Sequence, residues 1–315
     1  MTPRVSPPID PLSVLALAYQ SDKFVYHLYT PEYHRLFAPL RDRPVRLLEI
    51  GVGGYEDPKK GGASLCMWAE YFPQGRVVGL DLHPKALDLP ERVVVRQGSQ
   101  TDPAVLDRIW QEDGPFDIVI DDGSHAVEHV LASFRHLYPR LPETGLYVVE
   151  DTQSAFMPGF GGNPAAAGTI VELAHRIVLG MHRLEVEAGG NPAPEEPYGA
   201  ITHSVEFLRN LIVFRRGDNT FPSNLRFDPG HRRLAEASAA LEELQRREPS
   251  MLAFFAQCQI ALMLGHSTEA ALAAARGLAA YPGEPLLLEA LAAAVQQPMG
   301  EAAARHGDGP GEPGR

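Results

Sequence analysis

The sequence predicts an α/β fold: an open parallel sheet that ends in an antiparallel hairpin, followed by a small all-α region of tetratricopeptide-like helices. Three observations carry this. Five short runs rich in β-branched residues alternate with helix-length segments, as in βαβ units. Two more strand-like runs, Ser204–Leu208 and Leu211–Arg216, are separated only by Arg209 and Asn210, which makes them a hairpin at the sheet edge. Beyond Asp218 the composition turns to Ala, Leu, Glu and Arg.

Residues 1–11 are rich in proline and read as irregular, and Leu12–Tyr19 and Tyr26–Phe37 read as short helices, giving an N-terminal helical segment over 1–40. The α/β domain then spans 41–220. Its parallel strands are Val45–Ile50, Arg76–Asp81, Arg92–Arg96, Phe116–Asp121 and Gly145–Glu150, short apolar runs that suit burial on both faces. Helices fall at Ala63–Phe72, Pro103–Gln111 and Val127–Tyr138. In the last of these Val127, Val130, Leu131, Phe134 and Leu137 recur at helical spacing. Thr169–Met181 is a further helix, and Gly189–Pro197 is a Gly/Pro/Glu loop suited to a lid over a substrate.

Four helices fill the region 229–298: Leu234–Arg247, Met251–Leu264, Thr268–Tyr281 and Pro285–Gln297. Breaks fall at Pro249, at Gly265-His266 and at Pro282–Pro285. Pro249 to Pro282 is 33 residues, close to the ~34-residue period of tetratricopeptide pairs. Ala270, Ala274 and Gly277 supply small residues at helical spacing. The Gly/Pro/charged tail, 299–315, reads as disordered.

Composition narrows the function. The 315 residues carry a net charge of −12 and are 44% apolar, which excludes wholesale disorder and argues against nucleic acid as a partner. Cys66 and Cys258 lie far apart, which excludes a disulfide scaffold and a cysteine zinc site and fits a reducing compartment. The first residues lack an apolar signal core, and Val14–Tyr19 is too short to span a bilayer. A cytoplasmic protein without a membrane partner is the expectation.

Glu49-Ile50-Gly51-Val52-Gly53 closes the first strand, where glycine lets the backbone turn sharply and approach a ligand. Asp81 ends the next strand, where an acid accepts bonds from both hydroxyls of a ribose. A dinucleotide fingerprint would need a third glycine, and Glu56 stands at that spacing. Glu49 instead suits the cationic, amino-acid end of S-adenosylmethionine, with Gly98-Ser99-Gln100 flanking adenine. The fourth strand ends in Asp121-Asp122-Gly123-Ser124-His125 and the fifth in Glu150-Asp151. In a parallel sheet both ends lie at one edge, so four carboxylates and an imidazole converge. Such a cluster needs a cation, and oxygen ligands without cysteine favour Mg²⁺ or Mn²⁺ over zinc. Plain helix caps and solvated strand ends would account for one acidic pair, but two acidic strand ends plus His125 favour the cation. His129, four residues on, reads as a helix-surface histidine.

Taken together, these residues resemble the metal-dependent sugar O-methyltransferases of macrolide biosynthesis, the macrocin and mycinamicin type. The matching stretches are Ser21-Asp22-Lys23 with His27–Thr30, Leu48–Gly54 with Tyr55–Gly62, Gly98–Gln100, Asp121–His125 and Glu150–Thr152, and the likeness covers roughly Leu12 to Asn219. The resemblance implies a class I Rossmann-like methyltransferase sheet that binds S-adenosylmethionine and Mg²⁺. It assigns Asp122, Glu150 and Asp151 to the metal and His125 to the role of base. Glu49, Gly51, Gly53, Asp81, Ser99, Gln100 and Asp121 become the expected donor site. Members of that family carry an aromatic pair after Glu-Asp-Thr, where this chain has Ser154-Ala155-Phe156-Met157-Pro158. The C-terminal helices lie outside the shared region.

The implied reaction methylates a hydroxyl, most simply of a deoxysugar on a glycosylated natural product. A sugar hydroxyl is a poor nucleophile; a metal ion stabilises the developing alkoxide, and an imidazole with an unperturbed pKa near ~6.5 accepts the proton at neutral pH. A catechol or phenol acceptor would use the same groups, as would a cephalosporin-hydroxylase-like relative. A tetratricopeptide binding module with an inactive Rossmann-like half is the reading from a different class, and intact Asp122, His125, Glu150 and Asp151 argue against it. The C-terminal helices offer a surface for self-association or a protein partner.

Overall fold

The computed structural model describes residues 9–193, 195–220, 232–247 and 249–296. Contacts divide the chain into two compact units, Met1–Ser223 and Asn224–Arg315. The expected disordered tail and the first eight residues lie outside the described residues.

The first unit opens with three short helices, α1 (Pro11–Ala18), α2 (Asp22–Val25) and α3 (Thr30–Phe37). Asp10 and Ser21 cap the first two, each side chain accepting a backbone N–H of the first turn. The single helix expected over Tyr26–Phe37 is shorter than that. Pro31 sits in the first turn of α3, where its missing N–H is harmless; further inside a helix its ring would meet the carbonyl four residues back. The chain therefore turns at Leu28, at φ 57°.

The sheet follows: β1 (Arg46–Ile50), α4 (Ala63–Tyr71), β2 (Arg76–Asp81), β3 (Val93–Gln97), α5 (Pro103–Asp113), β4 (Ile118–Asp121), α6 (Val127–Leu137) and β5 (Leu146–Val149). Then come α7 (Ile170–Met181), α8 (Arg183–Ala188), β6 (Thr202–Leu208) and β7 (Leu211–Arg216). The strand order is β3-β2-β1-β4-β5-β7-β6, with the first five parallel and the hairpin antiparallel. This is the expected Rossmann-like methyltransferase sheet. Strand order reverses between β1 and β4, and ligands of open α/β sheets bind at that point, beyond the carboxyl ends of the strands.

Alternation along the strands sorts the core into two layers. Leu47, Val77, Ile118, Ile120 and Val148 pack with Tyr33, Phe37, Trp68 and Phe72 on one face. Leu48, Val78, Val119, Tyr147 and Val149 pack with Leu106, Ile109, Phe134 and Ile177 on the other. The register sets Ile50 opposite Asp121 and Asp121 opposite Val149. Those three side chains therefore share the second face, while Glu49, Asp122 and Glu150, each one step away, turn to the first.

In the second unit, α9 (Arg232–Arg247), α10 (Met251–Met263), α11 (Ser267–Ala280) and α12 (Pro285–Gln296) replace the four expected helices with bounds shifted by one or two residues. Cys258, Ala261, Ala270, Ala273, Ala274, Ala290 and Ala294 form its core. At Gly277 an added Cβ would lie 2.8 Å from Leu287 and 2.9 Å from Phe254, so the small residue is what lets these helices close up. Among the described residues no helix is long and apolar enough to cross a membrane.

One electrostatic clamp ties α5 to the sheet. Asp113, 1% exposed, accepts from Arg76 at 2.9 Å and from Arg96 at 2.8 and 3.1 Å. Burial works to raise its pKa, but the two guanidinium groups outweigh it and hold the carboxyl below the usual range. A depressed native pKa stabilises the fold above the unfolded value, ~3.9, and that contribution is lost as pH falls through the native one. Asp113→Asn should cost about 1–2 kcal/mol at pH 7, less than a fully buried pair because both arginines are partly exposed. The gap between parent and variant in urea unfolding should narrow below pH 4; a gap independent of pH would show that charge is not what Asp113 contributes.

Candidate active site

The site begins at the turn after β1. Gly51 has φ +93°, and a Cβ there would collide with the Asp122 carbonyl, so the position excludes every other residue twice over. The loop that follows returns through a bond from Gly62 N to Val52 O at 2.7 Å. Lys85 Nζ donates to the Gly53 and Tyr55 carbonyls at 2.6 Å each. Asp81, at the end of β2, accepts from Val52 N at 3.1 Å and His83 N at 2.8 Å, so its carboxylate sits against the glycine turn. Each oxygen keeps a further lone pair for a ligand.

The carboxylates beyond β1, β4 and β5 gather in two adjoining groups that share Asp122. In the inner one, Glu49, Asp122 and Glu150 bring one oxygen each within 4.8 Å of one another. Lys23 Nζ fills the space between them, 2.7 Å from Asp122 Oδ2, 2.7 Å from Glu150 Oε1 and 3.2 Å from Glu49 Oε1. Tyr33 OH donates to the same Glu150 oxygen at 2.5 Å, and Ser64 Oγ donates to Glu49 Oε2 at 2.8 Å. Among the described residues, the contact of Glu49 Oε1 is its 3.2 Å ion pair with Lys23. Burial and the Asp122 charge push Glu150 well up from the usual carboxylate range, against the pull of Lys23 and Tyr33. Glu49 is raised chiefly by burial. Burial opposes the charge on Lys23 too, yet the three carboxylates outweigh it and its pKa rises well above the ordinary value, so the lysine stays an ammonium.

The outer group is Asp122, His125 and Asp151, all half-buried, again with ligand atoms within 4.8 Å of one another. His125 Nε2 stands 3.5 Å from Asp151 Oδ2. Asp151 Oδ1 accepts from Tyr29 OH at 2.7 Å and Gln153 Nε2 at 3.2 Å, with His27 Nδ1 at 3.6 Å. Burial works to raise Asp151, but Tyr29, Gln153 and the two histidines outweigh it and hold the carboxyl below the usual range. His125 (φ 56°) and Asp151 (φ 52°) both adopt left-handed backbone, a strained state that needs support from surrounding structure and clusters at functional sites.

Three expectations are corrected. Asp121 does not join the other acids or face a donor. It projects to the opposite face of the sheet, 1% exposed, where Gln100 Nε2, Ser133 Oγ and Tyr147 OH all donate to it. Gln100 is buried with it and accepts from Ser124 N at 3.1 Å, so in this structure it braces the Asp122–Ser124 turn. Glu49 is wholly buried against Lys23, out of reach of a ligand's ammonium in this arrangement. Ser99 remains half-buried, its hydroxyl 2.8 Å from Thr101 Oγ1. His129 hydrogen-bonds Ser124 at 2.7 Å and stays outside both groups. Lys23, Tyr29 and Tyr33 are not among the expected site residues, although Lys23 and Tyr29 lie in the matching stretches; the physical signal for Lys23 is that so many acids demand a cation.

No protein-family model matches the chain. The 8-demethyl-8-(2-methoxy-alpha-L-rhamnosyl)-tetracenomycin-C 3'-O-methyltransferase of Streptomyces olivaceus is 44% identical over 216 residues, 66% of this chain and 54% of its own length. The demethylmacrocin O-methyltransferase of Streptomyces fradiae is 48% identical over 199 residues, 62% of this chain and 50% of its own. Among solved structures, the MycE methyltransferase of the mycinamycin biosynthetic pathway, in complex with Mg and SAH, matches with a TM-score of 0.63 and 38% identity, over 73% of this chain and 59% of that one. The chain spans about half the length of the curated relatives it matches. These likenesses bear out the resemblance read from the motifs: this chain is a relative of the sugar O-methyltransferases of the macrocin and mycinamicin type.

Proposed function

We propose that the protein is an S-adenosylmethionine-dependent O-methyltransferase that acts on a sugar hydroxyl of a glycosylated natural product, with Mg²⁺ in its site. The observation that carries this is the outer group: Asp122, His125 and Asp151 converge beside the glycine turn at the switch point of the sheet. Relatives named as methylating rhamnosyl and macrolide sugars, and a solved relative holding Mg and SAH, support the same reading. The donor set suits it: Gly51 and Gly53 bring bare backbone to the sheet edge, Asp81 offers oxygens to the ribose, and Ser99 lies on the adenine side.

The carboxylate oxygens of the outer group suit Mg²⁺ or Mn²⁺, and the imidazole nitrogen beside them is left for the base. Asp122 and Asp151 would hold the ion, joined by Glu150 through Oε2, because Oε1 is taken by Lys23 and Tyr33. When bound, the ion supplies Lewis-acid stabilisation to a developing alkoxide. His125 Nε2 takes the hydroxyl proton, and Asp151, 3.5 Å away, stabilises the imidazolium that forms. When bound, S-adenosylmethionine would supply a sulfonium methyl to that hydroxyl oxygen, with S-adenosylhomocysteine as the leaving group. Tyr29, Gln153 and the left-handed turn at Asp151 keep the carboxylate aimed, which preserves the near-attack geometry on which such a transfer depends. The segment Phe156–Phe160 borders the acceptor on this reading, since the Phe160 ring lies 6.3 Å from that of His125.

For the second unit we infer a tetratricopeptide-like scaffold, supported by helix pairs that meet through alanine and glycine. It serves self-association or a protein partner and contributes nothing to donor binding.

Three measurements test these readings. Asp81→Ala should weaken S-adenosylmethionine about ten- to a hundred-fold by calorimetry, the loss of one charge-assisted bond, with the thermal melt unchanged; an unaltered Kd would put the nucleoside elsewhere. His125→Asn should bind donor and Mg²⁺ nearly as the parent does yet lose about 10²–10⁴-fold in turnover, whereas Asp151→Ala should lose Mg²⁺ affinity and regain some turnover in excess metal. A His125→Asn enzyme that keeps its turnover sinks the base; one that no longer binds Mg²⁺ makes His125 a ligand. A chain ended near residue 228 should still bind donor, and failure to fold would mean that the two units share a core.

A further inference from the structure

The acidic edge of this sheet is built for two cations, and one of them is already part of the chain. The inner and outer groups share Asp122, and each brings its ligand atoms within 4.8 Å of one another. Such a pair of adjoining sites with a common carboxylate is the arrangement of a two-metal centre. Here the inner position holds the ammonium of Lys23, 1% exposed, with oxygens at 2.7, 2.7 and 3.2 Å. Among the described residues no lysine or arginine pairs with Asp151 at the outer position, where the His125 imidazole completes the group and that of His27 borders it.

We propose that Lys23 is a resident cation that takes the inner of the two positions and so restricts the site to a single divalent ion, held at the outer one. Lys23 is thus a positioning residue, acting on the reaction through Asp122 and Glu150. The proposal rests on the metal reading above for the outer position, while the inner one stands on contacts already formed.

The chemistry of the inner group fits a metal if the lysine is withdrawn. Glu49 Oε1 is wholly buried and its contact among the described residues is the 3.2 Å ion pair with Lys23, so withdrawing the ammonium would leave that oxygen without a counter-ion. At the ~2.0–2.1 Å metal–oxygen distances of a Mg²⁺-like ion, the Asp122 and Glu150 oxygens would draw in by about 0.6 Å and the Glu49 oxygen by about 1.1 Å from their present places around Nζ. A methionine side chain is one atom shorter than lysine and carries no charge. Lys23→Met would therefore vacate the volume of the ammonium while leaving three carboxylates without their counter-ion. A fixed ammonium also serves the proposed reaction better than a second exchangeable ion: it cannot dissociate, and it leaves the shared Asp122 oriented toward the outer position in every turnover.

The test counts Mn²⁺ ions on the full-length, donor-free protein by electron paramagnetic resonance and calorimetry. The parent should bind one and Lys23→Met two. Lys23→Arg, which restores a cation, should bind one, as should the double variant Lys23→Met with Glu49→Gln, because Glu49 belongs to the inner group alone. A merely structural role for Lys23 would lose binding and could not add an ion. A folded Lys23→Met that still binds one ion overturns the proposal. So does a parent that takes two at saturating Mn²⁺, a count that needs no variant to fold. A parent that binds no Mn²⁺ overturns the outer metal reading instead, and the ion gained by Lys23→Met over the parent still decides the role of the lysine.

Discussion

The side-by-side pairing of β1 with β4, Ile50 opposite Asp121, is the constraint on which the site depends. It puts the glycine turn and the Asp122 turn in contact, with Asp122 N donating to Ile50 O at 2.9 Å. Because side chains alternate along a strand, this one register sends Glu49, Asp122 and Glu150 to one face and Asp121 to the other. A slip of one residue would exchange the two sets and bury the wrong acids. Gly51 is where the pairing is tightest, since the Asp122 carbonyl occupies the space of its missing Cβ.

Bringing three carboxylates to one buried point is costly, and the N-terminal helices answer that cost. α2 delivers Lys23 and α3 delivers Tyr33 to the same Glu150 oxygen, while the turn between them delivers Tyr29 to Asp151. A buried charge survives only when paired and hydrogen-bonded, and each of these groups is both. The stretch from α2 to α3 is therefore part of the site and not an appendage to the sheet. On the other face Asp121 is treated differently. Ser133, Tyr147 and Gln100 surround it with donors, and through Gln100 it stiffens the turn that carries Asp122 and His125.

The graded burial of the acids separates their work. Glu49 and Glu150 lie inside with the lysine, while Asp122 and Asp151 reach the half-buried edge where His125 stands. Asp151 is held ionised by donors on one oxygen and leaves the other toward the imidazole. That gradient runs from a buried ion pair to a half-buried set of two acids and an imidazole.

Much of this was legible in the chain itself. Short β-branched runs that stop at glycine or acid set the parallel strands, and two residues between two runs set the hairpin, because local spacing decides both. Asp122, His125 and Asp151 follow from the acids at two strand ends once the sheet is parallel. What the sequence could not reveal is direction. Asp121 and Asp122 are neighbours of one type, and only the register of β4 against β1 and β5 decides which of them faces the site. The identity of the inner cation was equally hidden: Lys23 lies in a stretch that matches the family, but nothing in its spacing says which acids its ammonium meets. It is the docking of α2 over the sheet edge that carries its ammonium across 127 residues of sequence to Glu150, and long-range contacts of that kind exist only in the folded chain.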